Sequence, residues 1–221
     1  MKRFIVSILL LFCVNSSFAQ GFGVSAAYSY FYSPQFDKAI QAYNFSRPFQ
    51  TEKQPLLMNG FTTGLSYSFQ TKSSFRSGIA LNYSAFRSYS ENADFNNSYH
   101  LSFLELGYTL TYHFSESKLK SYLEMNASCL TSSLKRKIND ENFAFAEEKT
   151  RAFGIGGNLS LRYLYSLRLN RNLILSPFSG LNYSPYLYTP NTETVINQTK
   201  TLYTKPWTSV VRVDVGLKVN L

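Results

Sequence analysis

The stretch WTSVVRVDVGLKVNL (Trp207–Leu221) carries the plainest pattern in the chain. Val211, Val213, Val215, Leu217, Val219 and Leu221 take every second position, and Arg212, Asp214, Gly216, Lys218 and Asn220 fill the places between. Successive side chains of a strand point to opposite faces, so this spacing predicts a β-strand with one apolar and one polar face.

The same period of two recurs towards the N-terminus. It predicts strands at Phe22–Tyr32, Phe61–Phe69, Phe75–Tyr89, Tyr99–Phe114, Leu119–Thr131, Phe153–Arg168 and Leu173–Tyr188, which with Trp207–Leu221 makes eight. Pro177 and Pro185 interrupt the seventh and predict a bulge or bend. The connections alternate in length. Short polar turns are expected at Gln70–Ser74, Ser115–Ser117 and Asn170–Asn172, and long segments at Ser33–Pro55, Ser90–Asn97, Ser132–Arg151 and Thr189–Lys205. Short turns on one rim, long loops on the other and both termini on the short-turn side describe an all-β fold, an eight-stranded antiparallel up-and-down transmembrane β-barrel. Within the first long segment, Asp37–Tyr43 has the composition for a turn or two of helix.

A soluble lipocalin-like barrel shares this periodicity, and the chemistry of the polar face separates the two. A face solvated by water is dense in Lys and Glu, whereas here it is mostly Gly, Ser, Thr and Asn, as suits the crowded interior of a narrow barrel with its apolar side turned to lipid. Of 221 residues 16% are charged and 17% aromatic, and mean hydropathy is −0.17. That balance excludes a disordered chain and a helical membrane protein. With strand directions assigned, Tyr28, Tyr30, Tyr32, Tyr89, Tyr99, Tyr183 and Trp207 gather near the long-loop rim. Tyr67, Phe69, Phe75, Tyr112, Phe114, Tyr163 and Tyr165 gather near the short-turn rim. Two interfacial girdles are one reading of this, and ordinary β-favouring core residues the other.

At the N-terminus Lys2 and Arg3 precede an apolar run from Phe4 to Val14, followed by Ser17-Phe18-Ala19. This is the pattern of a secretory signal peptide, residues 1–19, ahead of a barrel domain at 20–221. A retained anchor helix and a lipoprotein modified at Cys13 are the alternatives, the latter opposed by the bulk of Phe12. Removal of the leader lowers the basic count from 22 to 20 against 13 acidic residues, formally +7, and leaves Cys129 as the single cysteine. Stability then rests on backbone pairing and packing rather than on disulfides.

Eight strands close around an interior that side chains just fill. By parity Glu105, Glu124, Arg162, Arg212 and Asp214 point inward near mid-depth, and isolated charges there carry a large desolvation penalty, so a buried salt-bridge network is expected. An ion or proton path is the alternative. The pair His100 and Ser102 is similar to the His-x-Ser of lipid A deacylases. Such a nucleophile needs a carboxylate to orient its base; Glu116 falls at the opposite rim, and Glu91 and Asp94 are nearer. No catalytic, cofactor-binding or metal-ligating residue is assigned, and no cofactor is expected. Lys135-Arg136-Lys137, Arg47 and Lys53 fall in long segments, where they meet lipid phosphates or simply water. The first long segment carries Phe36, Ile40, Tyr43, Phe45 and Phe49, which either present a surface to a partner or fold over the barrel mouth as a lid.

The chain resembles the small outer membrane protein β-barrel domain family that includes PorT-like proteins, in layout along the whole mature chain. The most specific piece is the ending Asp214-Val215-Gly216-Leu217-Lys218-Val219-Asn220-Leu221, similar to the signal read by the barrel assembly machinery, with Leu221 where an aromatic residue is common. The resemblance implies residence in the outer membrane with both termini periplasmic. The partners expected are outer-membrane lipid including lipopolysaccharide, the barrel assembly machinery, and a protein or glycan at the external loops, with no nucleic acid. The function expected is that of a structural or interaction module of the envelope. Transport of a small or apolar solute and a lipid A deacylase-like activity are the alternatives.

Overall fold

A computed structural model describes residues 21–45, 48, 51–69, 75–91, 95–114, 120–140, 148–169, 173–188 and 207–220. The expected leader, Arg47, Phe49, Asp94, Glu116, Leu221 and the segment 189–205 lie outside the described residues, as do the side chains of Tyr43, Arg136 and Trp207. The elements are β1 (Phe22–Tyr32), α1 (Pro34–Phe45), β2 (Asn59–Phe69), β3 (Phe75–Glu91), β4 (Phe95–His113), β5 (Lys120–Asp140), β6 (Glu148–Arg168), β7 (Ile174–Tyr188) and β8 (Trp207–Asn220). Each strand pairs antiparallel with the next, and β8 pairs with β1, closing the barrel.

The register fixes the geometry. From Phe22 the outward positions pair in turn through Tyr67, Ile79, Tyr108, Ala127, Leu159, Tyr183 and Val211 and return to β1 at Tyr32, ten residues further on. A stagger of that size in eight strands tilts them by about 41° and sets a backbone radius of about 8 Å. Every outward step of one residue then climbs about 2.5 Å along the axis.

The faces are inverted relative to a water-soluble core. Ile155 on the outside is 70% exposed, while Arg212 on the inside is 1% exposed. Outward positions on β4 read Leu104, Leu106, Tyr108 and Leu110, and inward ones Glu105, Thr109 and Thr111. With each strand laddered to a neighbour on both sides and no open edge, the closed sheet is of the kind that can cross lipid. Two glycines make room inside: a Cβ on Gly180 would lie 2.7 Å from Cγ of Arg162, and one on Gly216 would lie 2.7 Å from Cβ of Ala27.

The structure corrects several expectations. Two of the long segments are largely strand, because β3 and β4 run to Glu91 and from Phe95, and β5 and β6 run to Asp140 and from Glu148. Pairing continues there after apolar alternation stops, since a hairpin leaving the membrane needs backbone partners but no greasy face. Lys135 and Lys137 are therefore exposed strand residues rather than loop residues. No residue is inserted at Pro177 or Pro185. The β7–β8 ladder passes through both, and only the β6 side loses pairs, where proline has no N–H to give. Tyr99 faces inward, an odd position on a strand whose even positions face out, and is 2% exposed. The helix spans twelve residues rather than a turn or two, with Pro34 in its first turn, where a missing N–H costs nothing, and Asp37 also in that turn.

Candidate functional site

The interior is layered. Its middle is an ionic belt to which all eight strands contribute. Arg212 Nη2 lies 2.5 Å from Glu105 Oε1, and Arg212 Nη1 donates to Ser84 at 2.7 Å. Lys218 Nζ reaches Glu124 at 2.5 Å, Arg162 lies 3.5 Å from the same carboxylate, and its other terminal nitrogen is 4.0 Å from Asp214. Asp214 accepts from Ser29 at 2.7 Å and from Asn182 at 2.8 Å. Thr62 lies 2.7 Å from Ser29 and 2.8 Å from Ser84, which joins the two halves. Asn158 donates to Glu105 at 3.1 Å and accepts from Ser184 at 2.9 Å. Three cations face three carboxylates, so the belt is neutral, and each charge has at least one opposite partner, as burial demands.

Towards the long-loop rim the interior turns apolar. Phe31, Phe86, Phe103, Leu101, Leu130, Leu134 and Val210 form one cluster, into which α1 inserts Phe36 and Ile40. The rings of Phe31 and Phe86 have centroids 4.9 Å apart, and Phe36 meets Phe31 edge-on at 5.9 Å. Arg212 bridges the layers, its guanidinium 5.5 Å from the Phe103 ring. At the other end Tyr122, Leu164 and Phe178 pack together, with Arg162 5.1 Å from the Phe178 ring and Tyr122 donating to Ser176 at 3.0 Å. An aromatic floor, an ionic belt and an apolar cap thus fill the barrel from end to end.

Gln54 locks the lid. This buried amide donates to Ser88 at 2.5 Å and accepts from Ser90 at 2.8 Å and Asn97 at 3.0 Å, tying the segment after α1 to the inner walls of β3 and β4. Asn44 at the end of α1 donates to the Gln54 carbonyl at 2.9 Å and accepts from its N–H at 2.8 Å. Burial holds the Asp37 carboxyl of α1 above the ordinary carboxylate range. Of the aromatic segment, Phe36 and Ile40 plug the mouth as the lid reading expects, while Phe45 is 89% exposed.

All five charges expected inside lie there, and the belt gathers them. Lys218 was not among them, although the parity of Arg212 and Asp214 reveals it, two further inward positions along β8. Gln54 carried no such signal, because its burial follows from where the segment is pinned and not from any periodicity. His100 and Ser102 share the outward face of β4, but the charges acting on the imidazole are the cations Lys135 and Arg87. Ser102 donates to the Ser133 carbonyl at 3.5 Å, and among the described residues no carboxylate is hydrogen-bonded to His100. Among the described residues, therefore, no carboxylate orients the base that a nucleophilic serine requires.

No protein-family model matches the chain, and no curated protein sequence matches it. Among solved structures it is similar to Neisserial surface protein A (16% identity, TM-score 0.44, covering 91% of this chain and 97% of that one). It is also similar to Ail, the attachment invasion locus protein of Yersinia pestis (10% identity, TM-score 0.44, 91% and 99%). A third likeness is to the outer membrane protease OmpT from Escherichia coli (12% identity, TM-score 0.39, 74% and 63%). At these values the likeness is one of layout, and the functional reading rests on this chain's own residues.

Proposed function

We propose that the chain is an integral outer-membrane protein of the PorT-like kind, with its short-turn rim and both termini in the periplasm, acting as a sealed structural and interaction module of the envelope. The observation that carries this reading is the filled interior: a neutral ionic belt capped by an apolar cluster that α1 closes. A barrel built to pass solutes keeps its lumen polar and open, and this one spends its lumen on holding a helix in the mouth. The surface left to act is then the outside of the lid, with Lys38, Gln41 and Phe45 exposed, and the extended hairpins β3–β4 and β5–β6. The ending Asp214–Leu221 supports delivery by the barrel assembly machinery.

Two measurements test the proposal. In planar bilayers the protein gives no steady current; sustained nanosiemens-scale openings overturn the sealed reading and favour transport. Replacing Lys38, Gln41 and Phe45 together with alanine, while keeping Phe36 and Ile40, leaves assembly intact and abolishes co-purification of an envelope protein or glycan. Unchanged co-purification refutes the assignment of the lid as the interaction surface.

A further inference from the structure

We infer that the outward face of β3, β4 and β5, just beyond the apolar band, is a binding site for the phosphate of an outer-leaflet glycolipid, built from Arg87, His100 and Lys135. The inference rests on the outer-membrane orientation proposed above. Arg87 pairs with His100 and His100 with Lys135 in the ladders, so the three stand in one row on adjacent strands, all exposed and all on the lipid side.

The row sits beyond the end of the apolar face on each strand. Outward positions run Ile79, Leu81, Tyr83, Ala85 and then Arg87 on β3; Leu104, Ser102 and then His100 on β4; Thr131, Ser133 and then Lys135 on β5. From Phe75 at the other rim, the climb to Arg87 is about 30 Å at this tilt, enough to clear an apolar band of roughly 25 Å and reach headgroup level. At the short-turn rim the corresponding outward residues are Phe69, Phe75 and Tyr112, so the cations belong to one leaflet.

Like charges aligned across a sheet repel, and this row has no acid within it to relieve them. Among the described residues Arg87 and Lys135 form no ion pair. Arg87 stands 5.7 Å from the Tyr89 ring, and Glu91, further out on the same face, accepts the Tyr89 hydroxyl at 3.3 Å. Immediately below, the paired positions are Ala85, Ser102 and Ser133, a ledge of small residues against which a sugar headgroup can rest. An anion supplied by the lipid itself balances the row, and the Arg87 guanidinium offers the paired donors that match phosphate geometry.

The test uses the full mature protein in nanodiscs, with bisphosphorylated lipid A and its dephosphorylated form as probes. The wild-type protein is expected to bind the bisphosphorylated form at least tenfold more tightly. The variant Arg87→Gln/His100→Asn/Lys135→Gln is expected to weaken that binding about 30-fold, from about fivefold per full surface cation, and to leave binding of the dephosphorylated form unchanged. Arg76→Gln, an exposed cation at the opposite end of β3, serves as a control with no effect, and millimolar inorganic phosphate does not compete. Equal binding of the two lipids by the wild type, or an unweakened triple variant that retains its heat-modifiable fold, overturns the site. Competition by free phosphate at those levels overturns the lipid as its source. Fractionation of the native protein away from the outer membrane overturns the orientation instead, a failure distinguishable from that of the site.

Discussion

Removing one charge from the neutral belt should cost more than removing a pair. Glu105 is ion-paired with Arg212 at 2.5 Å and accepts from Asn158 at 3.1 Å, both buried. In Glu105→Gln the shape is kept and the charge is lost, leaving Arg212 with the Ser84 hydroxyl and the Phe103 ring. Two unit charges about 4 Å apart at an effective dielectric near 20 interact by about 4 kcal/mol, in line with the roughly 3–5 kcal/mol lost when a buried pair is broken from one side. That corresponds to about three orders of magnitude in the unfolding equilibrium. The double variant Glu105→Leu/Arg212→Met removes both charges and leaves only the Ser84 and Asn158 hydrogen bonds to replace, about 1 kcal/mol each. It should therefore be more stable than the single variant. Urea unfolding in lipid vesicles, followed by the fluorescence of the single tryptophan Trp207 and by heat-modifiable migration, measures both. A single-variant loss below about 1 kcal/mol, or a double-variant loss equal to the sum of two large single losses, refutes the picture of a desolvated, mutually compensating belt.

Three further outcomes follow from other layers. Leu106→Arg, on the lipid face between Leu104 and Tyr108, should cost about 2–4 kcal/mol in the same assay, whereas Lys137→Leu beyond the band should change stability little. Ile40→Ala, inside the cap, should cost up to about 2–5 kcal/mol of lid closure and speed hydrogen exchange along α1 while the strands keep their protection. Because burial raises the folded-state value of Asp37, its protonated form adds to closure, and that contribution is lost as the pH rises through the raised value. Exchange of the α1 amides, referenced to Asp37→Asn, should show this loss in the wild type alone; equal pH profiles for the two proteins contradict it.

The alternation of apolar and polar positions was enough to read strand number; the alternating connection lengths added the up-and-down order, and the small residues of the polar face added which side turns inward, since a period of two leaves no freedom once one face is assigned. It also located Glu105, Glu124, Arg162, Arg212 and Asp214, since parity alone decides whether a charge is inside. The same rule, applied strictly, places Lys218 in the belt and turns Tyr99 away from the girdle. What stayed hidden has a different origin. Beyond the membrane both faces of a hairpin are polar, so the outer ends of β3 to β6 carry no periodic signal although their backbones still pair. The lid is held by three hydrogen bonds from Gln54 to the walls of β3 and β4 and by the reciprocal pair between Asn44 and the Gln54 backbone, and nothing in local sequence marks such a meeting.

The inverted barrel can be tested through its own cysteine. Cys129 stands on the outward face of β5, between Ala127 and Thr131, within the apolar band, and it is the single cysteine of residues 20–221. In native membranes, with Cys13 removed by cleavage or by Cys13→Ser, a charged maleimide should leave Cys129 unmodified until the barrel is unfolded, while a lipid-soluble maleimide labels it readily. Rapid labelling of the folded protein by the charged reagent, at the rate of the unfolded chain, would place that face in water and contradict the barrel's orientation towards lipid.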